Sequence, residues 1–490
     1  MSKQNNLPQI LNVATIPSIE NMNIKTEVLD PITITQNQAV FQIPKNGILD
    51  GGSMVQLAVL ADPVNFFPLN TGIHGLVKSC FLKVGGKVLA SNSDYAHYTT
   101  MMRQFESPEH RAYVDMVKSG AIGDRFSQET DSRLVYRDME VSGASGTARE
   151  LKVPLFLRPS LDESTTPIFS VPLSVLIPMM RSRQLPLMAM KEHVYLEINF
   201  NKQIAGSPGA ITCVDEGQNA KSAVSVSTNN VKFISDHLYY TTEKMDNLVQ
   251  QTLSQNGLSF LFEDLNVTNA NIPSVSGLSG VQEQRVERKI AVSGKTVRNI
   301  MVAEKNVNQN HSFLGQYVST DLIAPSSYNF RINDQLVYDR EPKEAPRKYN
   351  ELSEVLGKPL MVPSQLFSFD VDTDKSRQDK RYNQNSVFIG KVNGHKLPEE
   401  FNSNVSTQTN DIRATSHYIG YDATSTGFNV LGNGAKIGVK PILFQKTYTR
   451  QPDQTGTVKV AGQNEAREMR IFCGVEKAAV IKNGEIIMSA

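Results

Sequence analysis

Two short stretches, about half a chain apart, constrain the fold more than any other feature. The first is "LKVGGKVLAS", where Val84-Gly85-Gly86-Lys87-Val88-Leu89 sets a Gly-Gly pair between apolar positions. The second is "NFRINDQLVYD", where Ile332-Asn333-Asp334-Gln335-Leu336-Val337 does the same with an Asn-Asp pair. Either pair tolerates the positive φ of a two-residue hairpin turn. The second stretch lies 248 positions after the first (332 − 84) in a chain of 490 residues. Upstream, "MVQLAVLADP" has a counterpart in "VRNIMVAEKN" at nearly the same offset. A period of half the chain predicts two tandem copies of one β-rich unit.

The rest of the pattern is mostly β. "ITITQNQAVFQI" and "SMVQLAVL" are short runs rich in β-branched and apolar residues, bounded by Gly, Pro, Asn and Asp. In "RQLPLMAMKEHVYLEINFN", residues 183–201, Val194, Leu196, Ile198 and Phe200 alternate with His193, Tyr195, Glu197 and Asn199. Period two places the first four on one face of a strand and the others on the opposite face. The last segment alternates Met469, Ile471, Cys473 and Val475, then turns at Asn483-Gly484, a pair with a strong type I′ preference.

Three stretches read as helices. Ser107-Pro108 can cap one that carries Tyr113, Met116 and Val117 and stops at Gly120. "TTEKMDNLVQQTLSQNG" places Met245, Leu248, Val249, Thr252 and Leu253 on one face and ends at Gly257. "APRKYNELSEVLGK" does the same with Tyr349, Leu352, Val355 and Leu356 before Gly357. Residues 121–150 and 201–230 are rich in Gly, Ser, Asp and Asn and read as long surface loops. Residues 1–30 are polar and Asn-rich, with Pro8 and Pro17, and read as an extended arm.

Little here promises chemistry. Glu192, His193 and Glu197 cluster in sequence, but Glu192 and His193 face opposite ways on a strand. His193 and Glu197 share a face about 13 Å apart at the strand rise, so they cannot hold one ligand. The histidines His74, His97, His110, His193, His237, His311, His395 and His417 show no metal-type pairing. "DVDTDKSRQDKRYNQN" spaces Asp370, Asp372 and Asp374 like a calcium loop but lacks its sixth-position Gly and twelfth-position Glu. Phosphate-binding, nucleophile-elbow and dinucleotide-binding motifs are missing. The expectation is no catalytic residue, no cofactor-binding residue and no metal ligand.

Charge and cysteines narrow the setting. A formal net charge of +1 argues against a surface that neutralises many phosphates, so sequence-specific or packaging contacts with nucleic acid are not expected. Cys80, Cys213 and Cys473 are far apart and odd in number, which favours folding in a reducing compartment. The N-terminus lacks a secretory pattern and no apolar run approaches about 18 residues. The sequons at Asn266, Asn310 and Asn404 therefore carry little weight. The chain has no Trp, which weakens a sugar-stacking role.

"VPLSVLIPMMRSRQLPLMAMKEHVYLEINF" resembles a segment of the major capsid proteins of the double jelly-roll lineage. That lineage includes large eukaryotic DNA viruses, virophages and polinton-like viruses. The matching positions are Pro172-Leu173, the turn Leu185-Pro186-Leu187, and Glu192-His193-Val194. "DHLYYTTEKMDNLVQQTLSQ" resembles the family segment that closes the first jelly roll, through Tyr239, Tyr240, Thr241, Thr242 and Glu243, without the family's Asp. These matches span about 60 residues of the first half.

The resemblance implies an all-β chain of two tandem eight-stranded antiparallel jelly rolls with short helices in the connections. The divisions expected are an arm at 1–30, a first jelly roll at 31–240, a connecting helix at 241–257 and a second jelly roll at 258–490. Three copies would close into a homotrimeric, pseudo-hexameric capsomer that tiles an icosahedral virion shell. Partners would be further copies, neighbouring capsomers and minor capsid and penton proteins, with an internal membrane as a further candidate. Synthesis would be in the host cytoplasm. Loops at 121–150, 201–230, 370–385 and 395–435 would point outward or lock neighbours. The arm would run beneath the capsomer, so deleting residues 1–25 would spare the trimer and impair shells. Three rivals are a viral attachment or spike protein, which would show shaft repeats or a trimeric coiled coil, a carbohydrate-binding or carbohydrate-cleaving β-protein, which would show an aromatic platform or a carboxylate pair, and a single jelly-roll minor capsid protein, which would be about half this length.

Overall fold

The computed structural model describes residues 22–60, 72–103, 118, 134–142, 148–157, 168–182, 184–201, 212–214, 220–223, 225–240, 257–276, 278–280, 282–306, 320–321, 326–343, 345–356, 391–392, 395–396, 415–416, 418–425, 431–450 and 466–489.

Eight longer strands frame the two sheets of the first half, to which the two-residue strands Thr33–Ile34, Ile48–Leu49, Leu185–Pro186 and Ser225–Val226 are added. In chain order the longer strands are β1 (Met22–Leu29), β2 (Gln38–Ile43), β3 (Met54–Leu60), β4 (Val77–Val84) and β5 (Lys87–Asn92). Helix α1 (Tyr95–Arg103) follows, then a hairpin of β6 (Leu134–Ser142) and β7 (Ala148–Leu157), then β8 (Ile168–Pro172), β9 (Val194–Phe200) and β10 (Lys232–Tyr240). One sheet runs β1-β10-β3-β8 and the other β2-β9-β4-β5, all antiparallel. With the β6–β7 hairpin set aside, these are the first, eighth, third and sixth strands against the second, seventh, fourth and fifth. That order is a jelly roll.

The second half repeats it. Strands β11 (Leu258–Ile272), β12 (Gln282–Ile290), β13 (Thr296–Asn306), β14 (Ser327–Ile332) and β15 (Gln335–Leu336) precede helix α2 (Ala345–Leu356). Strands β16 (Tyr418–Asp422), β17 (Ile442–Arg450) and β18 (Arg467–Lys482) follow, with β19 (Glu485–Ser489) added to the edge of β18. The sheets are β11-β18-β13-β16 and β12-β17-β14-β15, the same strand order again. The duplication inferred from two hairpins therefore extends to every strand of both sheet pairs. The hairpins themselves are as expected: Gly85, Asn333 and Asp334 all have positive φ, at 57°, 49° and 68°.

Each barrel buries the apolar comb of its strands. The first core holds Phe41, Leu82, Leu196, Ile198 and Phe233, and the second holds Ile300, Val302, Phe330, Phe444 and Ile471. Strands β11 and β18 are long, 15 and 16 residues, and pair along their whole length. Fifteen residues span about 50 Å, more than one barrel needs. Their joined ends, with Phe260, Phe262, Ala479 and Ile481, pack into the core of the first barrel. The two barrels thus share strands as well as a boundary.

Several expectations need correction. The expected arm at 1–30 overlaps the first sheet, because Met22–Leu29 pairs in full register with Lys232–Tyr240. The pattern was hidden because Ile24 and Val28 face away from the barrel, so the strand shows no inward apolar comb. The stretch 121–150 contains most of the β6–β7 hairpin rather than loop alone. Residues 201–230 contain short strands at Thr212–Val214, Ala220–Ala223 and Ser225–Val226. Within 395–435, Tyr418 and Ile419 are buried core positions of β16. A helix at Tyr95–Arg103 was not expected, and of the stretch expected as a helix from Ser107 only Lys118 is described, in helical conformation. Most of the Ser107 stretch, the helix at 241–256 and the Asp370–Asn385 stretch lie outside the described residues.

Candidate assembly surfaces

The side chains that first suggested chemistry are separated by the strand that carries them. On β9, Val194, Leu196, Ile198 and Phe200 are buried, and the alternate positions face out. Glu197 pairs with Lys83 on β4 and accepts from Asn199 at 3.3 Å. His193 turns to the other neighbour, where its Nδ1 lies 2.9 Å from Nε2 of Gln42 on β2. Glu192 sits over Gly85, where any Cβ would collide with its carboxylate.

The remaining described histidines serve the interior. His74 Nδ1 lies 2.7 Å from the Tyr95 hydroxyl, and His97 Nδ1 lies 2.7 Å from Asp94 Oδ1. His237 is fully buried, its Nδ1 3.0 Å from the Asn46 carbonyl and its Nε2 3.0 Å from Ser235 Oγ. Burial lowers its pKa, more than the Asn46 carbonyl and the nearby Glu27 and Asp236 raise it. His110, His311 and His417 lie outside the described residues, and of the His395 side chain nothing is described. Among the described residues no group of three His, Cys, Asp or Glu side chains could hold a metal ion. Burial pushes both described thiols up, Cys473 to about 12, so neither is a reactive thiolate.

What the fold does concentrate is surface-to-surface contact between the barrels. Helix α1 begins at Asp94, whose carbonyl accepts the Tyr98 amide at 3.1 Å. Its Tyr95 faces the first core, while Tyr98 and Met101 lie against the second barrel. The rings of Tyr98 and Phe472 are 5.5 Å apart, and the Arg181 guanidinium lies 5.7 Å from the Tyr98 ring. At the end of this patch, Asp94 pairs with Arg470, which also meets Glu468 at 2.9 Å. A second polar tie runs from the Ser91 amide to Asp264 Oδ1, at 2.9 Å. A third joins the Lys191 amide to the Gly484 carbonyl, at 2.8 Å, so the C-terminal hairpin grips the first barrel.

Helix α2 closes the other part of the same face. Leu352 and Val355 pack on β16, where Gly420 leaves room for them. The outer face of β11-β18-β13-β16 is thus covered by two helices, one from each barrel. Its central row is Val267, Phe472, Met301 and Gly420, one residue per strand. Neither helix role was evident in the sequence: the apolar stripe of α2 was, but not what it faces, and the apolar residues of α1 are divided between two faces.

The chain matches no family model and no curated protein. Solved structures do match. VP54 of PBCV-1, as fitted into a cryo-EM reconstruction of the virophage Sputnik, superposes with a TM-score of 0.53 at 12% identity, covering 96% of this chain and 97% of that one. The 3.5 Å cryo-EM structure of the Sputnik virophage gives 0.53 at 10% identity, covering 100% and 92%. The quasi-atomic model of the PBCV-1 virus capsid gives 0.50 at 13% identity, covering 96% and 97%. Together with the repeated strand order, these likenesses define the fold as a double jelly roll.

Proposed function

We propose that this chain is a structural capsid protein: copies associate as homotrimeric, pseudo-hexameric capsomers that tile an icosahedral virion shell. The observation that carries this reading is the extent of the likeness. The likeness to capsid components runs over nearly the whole of each chain. The reading also suits the site. The polar side chains are spent on ties between strands and between barrels, and the surfaces are broad sheet faces. A ring of three double barrels needs one heterologous interface that closes, which a duplicated chain supplies economically. Partners beyond further copies would be minor capsid and penton proteins and a membrane beneath the shell. Catalysis has no part in this role.

Electron microscopy of the expressed protein tests the proposal. The expected particles are capsomers with a near-hexagonal outline and threefold symmetry. A monodisperse monomer at micromolar concentration, with no larger particle, would overturn it.

A further inference from the structure

The seam between the barrels ends in a buried cluster of opposite character to the Asp94–Arg470 pair. Along β18, Arg470, Phe472, Gly474 and Glu476 share the face turned to the first barrel. Arg470 meets Asp94 at one end, and Phe472 meets Tyr98 in the middle. At the other end, register sets Glu476 directly opposite Glu263 on β11. Leu265, two residues along from Glu263, packs in the same patch as Phe472 and Tyr98, so both glutamates face the seam. Their side chains are only 6% and 14% exposed. Like charges opposed across a ladder repel, and burial sharpens the repulsion.

A single buried arginine lies between them. The ladder of β13 and β18 shifts register between Val297 and Asn299, and Arg298 sits at that irregularity. Its Nη1 lies 2.5 Å from Glu263 Oε2 and its Nε 3.5 Å from Glu476 Oε1. The Gly432 amide donates to Glu476 Oε1 at 2.8 Å. Gly474 leaves the space, since a Cβ there would lie 2.7 Å from Glu263 Oε1. Around this trio, β13 contributes Asn299, and β16 contributes Asp422, whose carboxylate accepts the Thr424 amide and hydroxyl at 2.9 and 2.7 Å. Asp264 turns to the opposite face, toward Lys477 and the Ser91 amide. From the first barrel come Arg181, on the helix Met179–Ser182, and Tyr98. Glu263, Arg298 and Glu476 thus carry one surplus negative charge, and Arg181, the cation that answers it across the seam, is exposed to solvent.

We propose that Glu263 and Glu476 are a proton-responsive pair that sets how firmly the two barrels hold together, taking up one proton as the surroundings turn mildly acidic and tightening the seam. One proton cancels the surplus charge and leaves Arg298 to a single carboxylate, so the repulsion across the ladder disappears. Burial raises the Glu263 carboxyl above its ordinary 4.5 and Glu476 adds to the rise, while Arg298, Arg181 and Asn299 oppose it without cancelling it. A raised carboxyl contributes stability that is full below the unfolded value of 4.5 and is lost as pH climbs through the folded one. That is the reverse of Asp94, which sits at the far end of the same face and weakens only in stronger acid. The seam is therefore firmest in mild acid and loosens toward neutrality. The pair lies within one chain, so the inference stands apart from how copies associate.

Urea unfolding of the full-length protein and of Glu263→Gln, from about pH 4 to about pH 7, tests this. Gln keeps the size and removes the charge. The ratio of the parent's unfolding constant to the variant's should rise about threefold or more across that range. A ratio that is flat, or that falls as pH rises, would overturn the proposal, because Glu263 would then be an ordinary ion-paired carboxylate. Glu476→Gln relieves the repulsion from the other side and keeps an oxygen for the Gly432 amide. It should shrink the pH dependence, and it serves where Glu263→Gln does not fold. Arg181→Gln removes the cation across the seam and should move the transition to higher pH, which a purely structural role for Arg181 would not do. An unmoved transition would show that the pair does not sense the first barrel. Hydrogen exchange supplies the local readout. Corrected for intrinsic rates, the α1 amides should open less often at about pH 5 than at about pH 7 in the parent, and equally often in Glu263→Gln. Equal opening in the parent would refute the tightening.

Discussion

Asp94 and Arg470, 376 positions apart in the chain, form an ion pair between the first helix of one barrel and the longest strand of the other. Burial pushes the Asp94 carboxyl up, but His97 and Arg470 together outweigh it and hold the group at about 2, against an ordinary 3.8. A depressed carboxylate stabilises the folded state above its unfolded pKa, and that contribution is lost as pH falls through the folded value. The stabilisation is therefore complete above about pH 5 and gone near pH 2. Asp94→Asn should cost about 2 kcal/mol at neutral pH and flatten the acid limb of the stability curve between those limits. Urea titrations at several pH values check this. An unchanged acid limb would show that the pair does not couple the barrels.

Gly420 is a position where a methyl group has nowhere to go. A Cβ there would lie 2.9 Å from both Leu352 Cδ1 and Val355 Cγ2, and 3.2 Å from the Leu352 Cα. Gly420→Val should push α2 off the sheet and destabilise by roughly 1–3 kcal/mol, as overpacking does. Adding Leu352→Ala should recover part of that loss, because the two changes share one contact. A double-mutant cycle by thermal denaturation measures the coupling, and strict additivity would place the helix elsewhere.

The strand that looked catalytic should behave as a core strand. Leu196 and Ile198 are fully buried, so Leu196→Asp should abolish folding, and Leu196→Ala should cost about 2–5 kcal/mol. His193→Ala removes a side-chain hydrogen bond with Gln42 and a loose ring contact with Tyr195, 6.4 Å away, and should stay within about 1 kcal/mol. Soluble yield and melting temperature separate the two. If His193→Ala instead blocked assembly with the fold intact, that polar face would be an interface.

How much of this was legible in the sequence follows from how local each signal is. The hairpins at Gly85 and Asn333 and the comb from Val194 to Phe200 were readable because two to seven residues fix each one. Those same hairpins exposed the duplication. Strand β1 was not readable, since Ile24 and Val28 face outward and the face that carries Leu29 also holds Lys25 and Glu27, bonded to each other at 2.5 Å. Helix α1 was missed because its apolar contacts are split between two barrels: Tyr95 and Ala96 serve the first core, and Tyr98, Met101 and Met102 the far one. Contacts with partners some 370 residues away leave no periodic trace. The shared length of β11 and β18 is likewise set by tertiary packing.

His237 gives a second pH signature with the same sign. Burial lowers its pKa below the ordinary 6.5, against smaller opposing effects of the Asn46 carbonyl, Glu27 and Asp236, and Lys25 nearby adds to the lowering. The unfolded chain therefore binds the proton first as pH falls. Stability is complete above about pH 7 and declines as pH drops through 6.5 toward the folded value. The difference between the parent protein and His237→Gln should isolate this decline, since other histidines titrate in both. A parent-minus-variant difference that is flat from pH 7 to 5 would contradict it.

Strand β1 makes the N-terminus a sharp test. Removing residues 1–21 leaves β1 in place, so melting temperature should be nearly unchanged. Removing residues 1–29 deletes β1, opens the edge of β10 and takes Leu29 from the core and the Glu27 carbonyl from Ser235. That truncation should cost roughly 3–5 kcal/mol or prevent folding, the scale of losing a packed element. Removing residues 1–25, a deletion expected to spare the trimer, cuts inside the strand and should give an intermediate loss. Sedimentation of the three truncations side by side decides between an arm that acts only beneath the capsomer and a strand that builds it. If all three associate alike, β1 contributes neither to the sheet nor to the contact between copies.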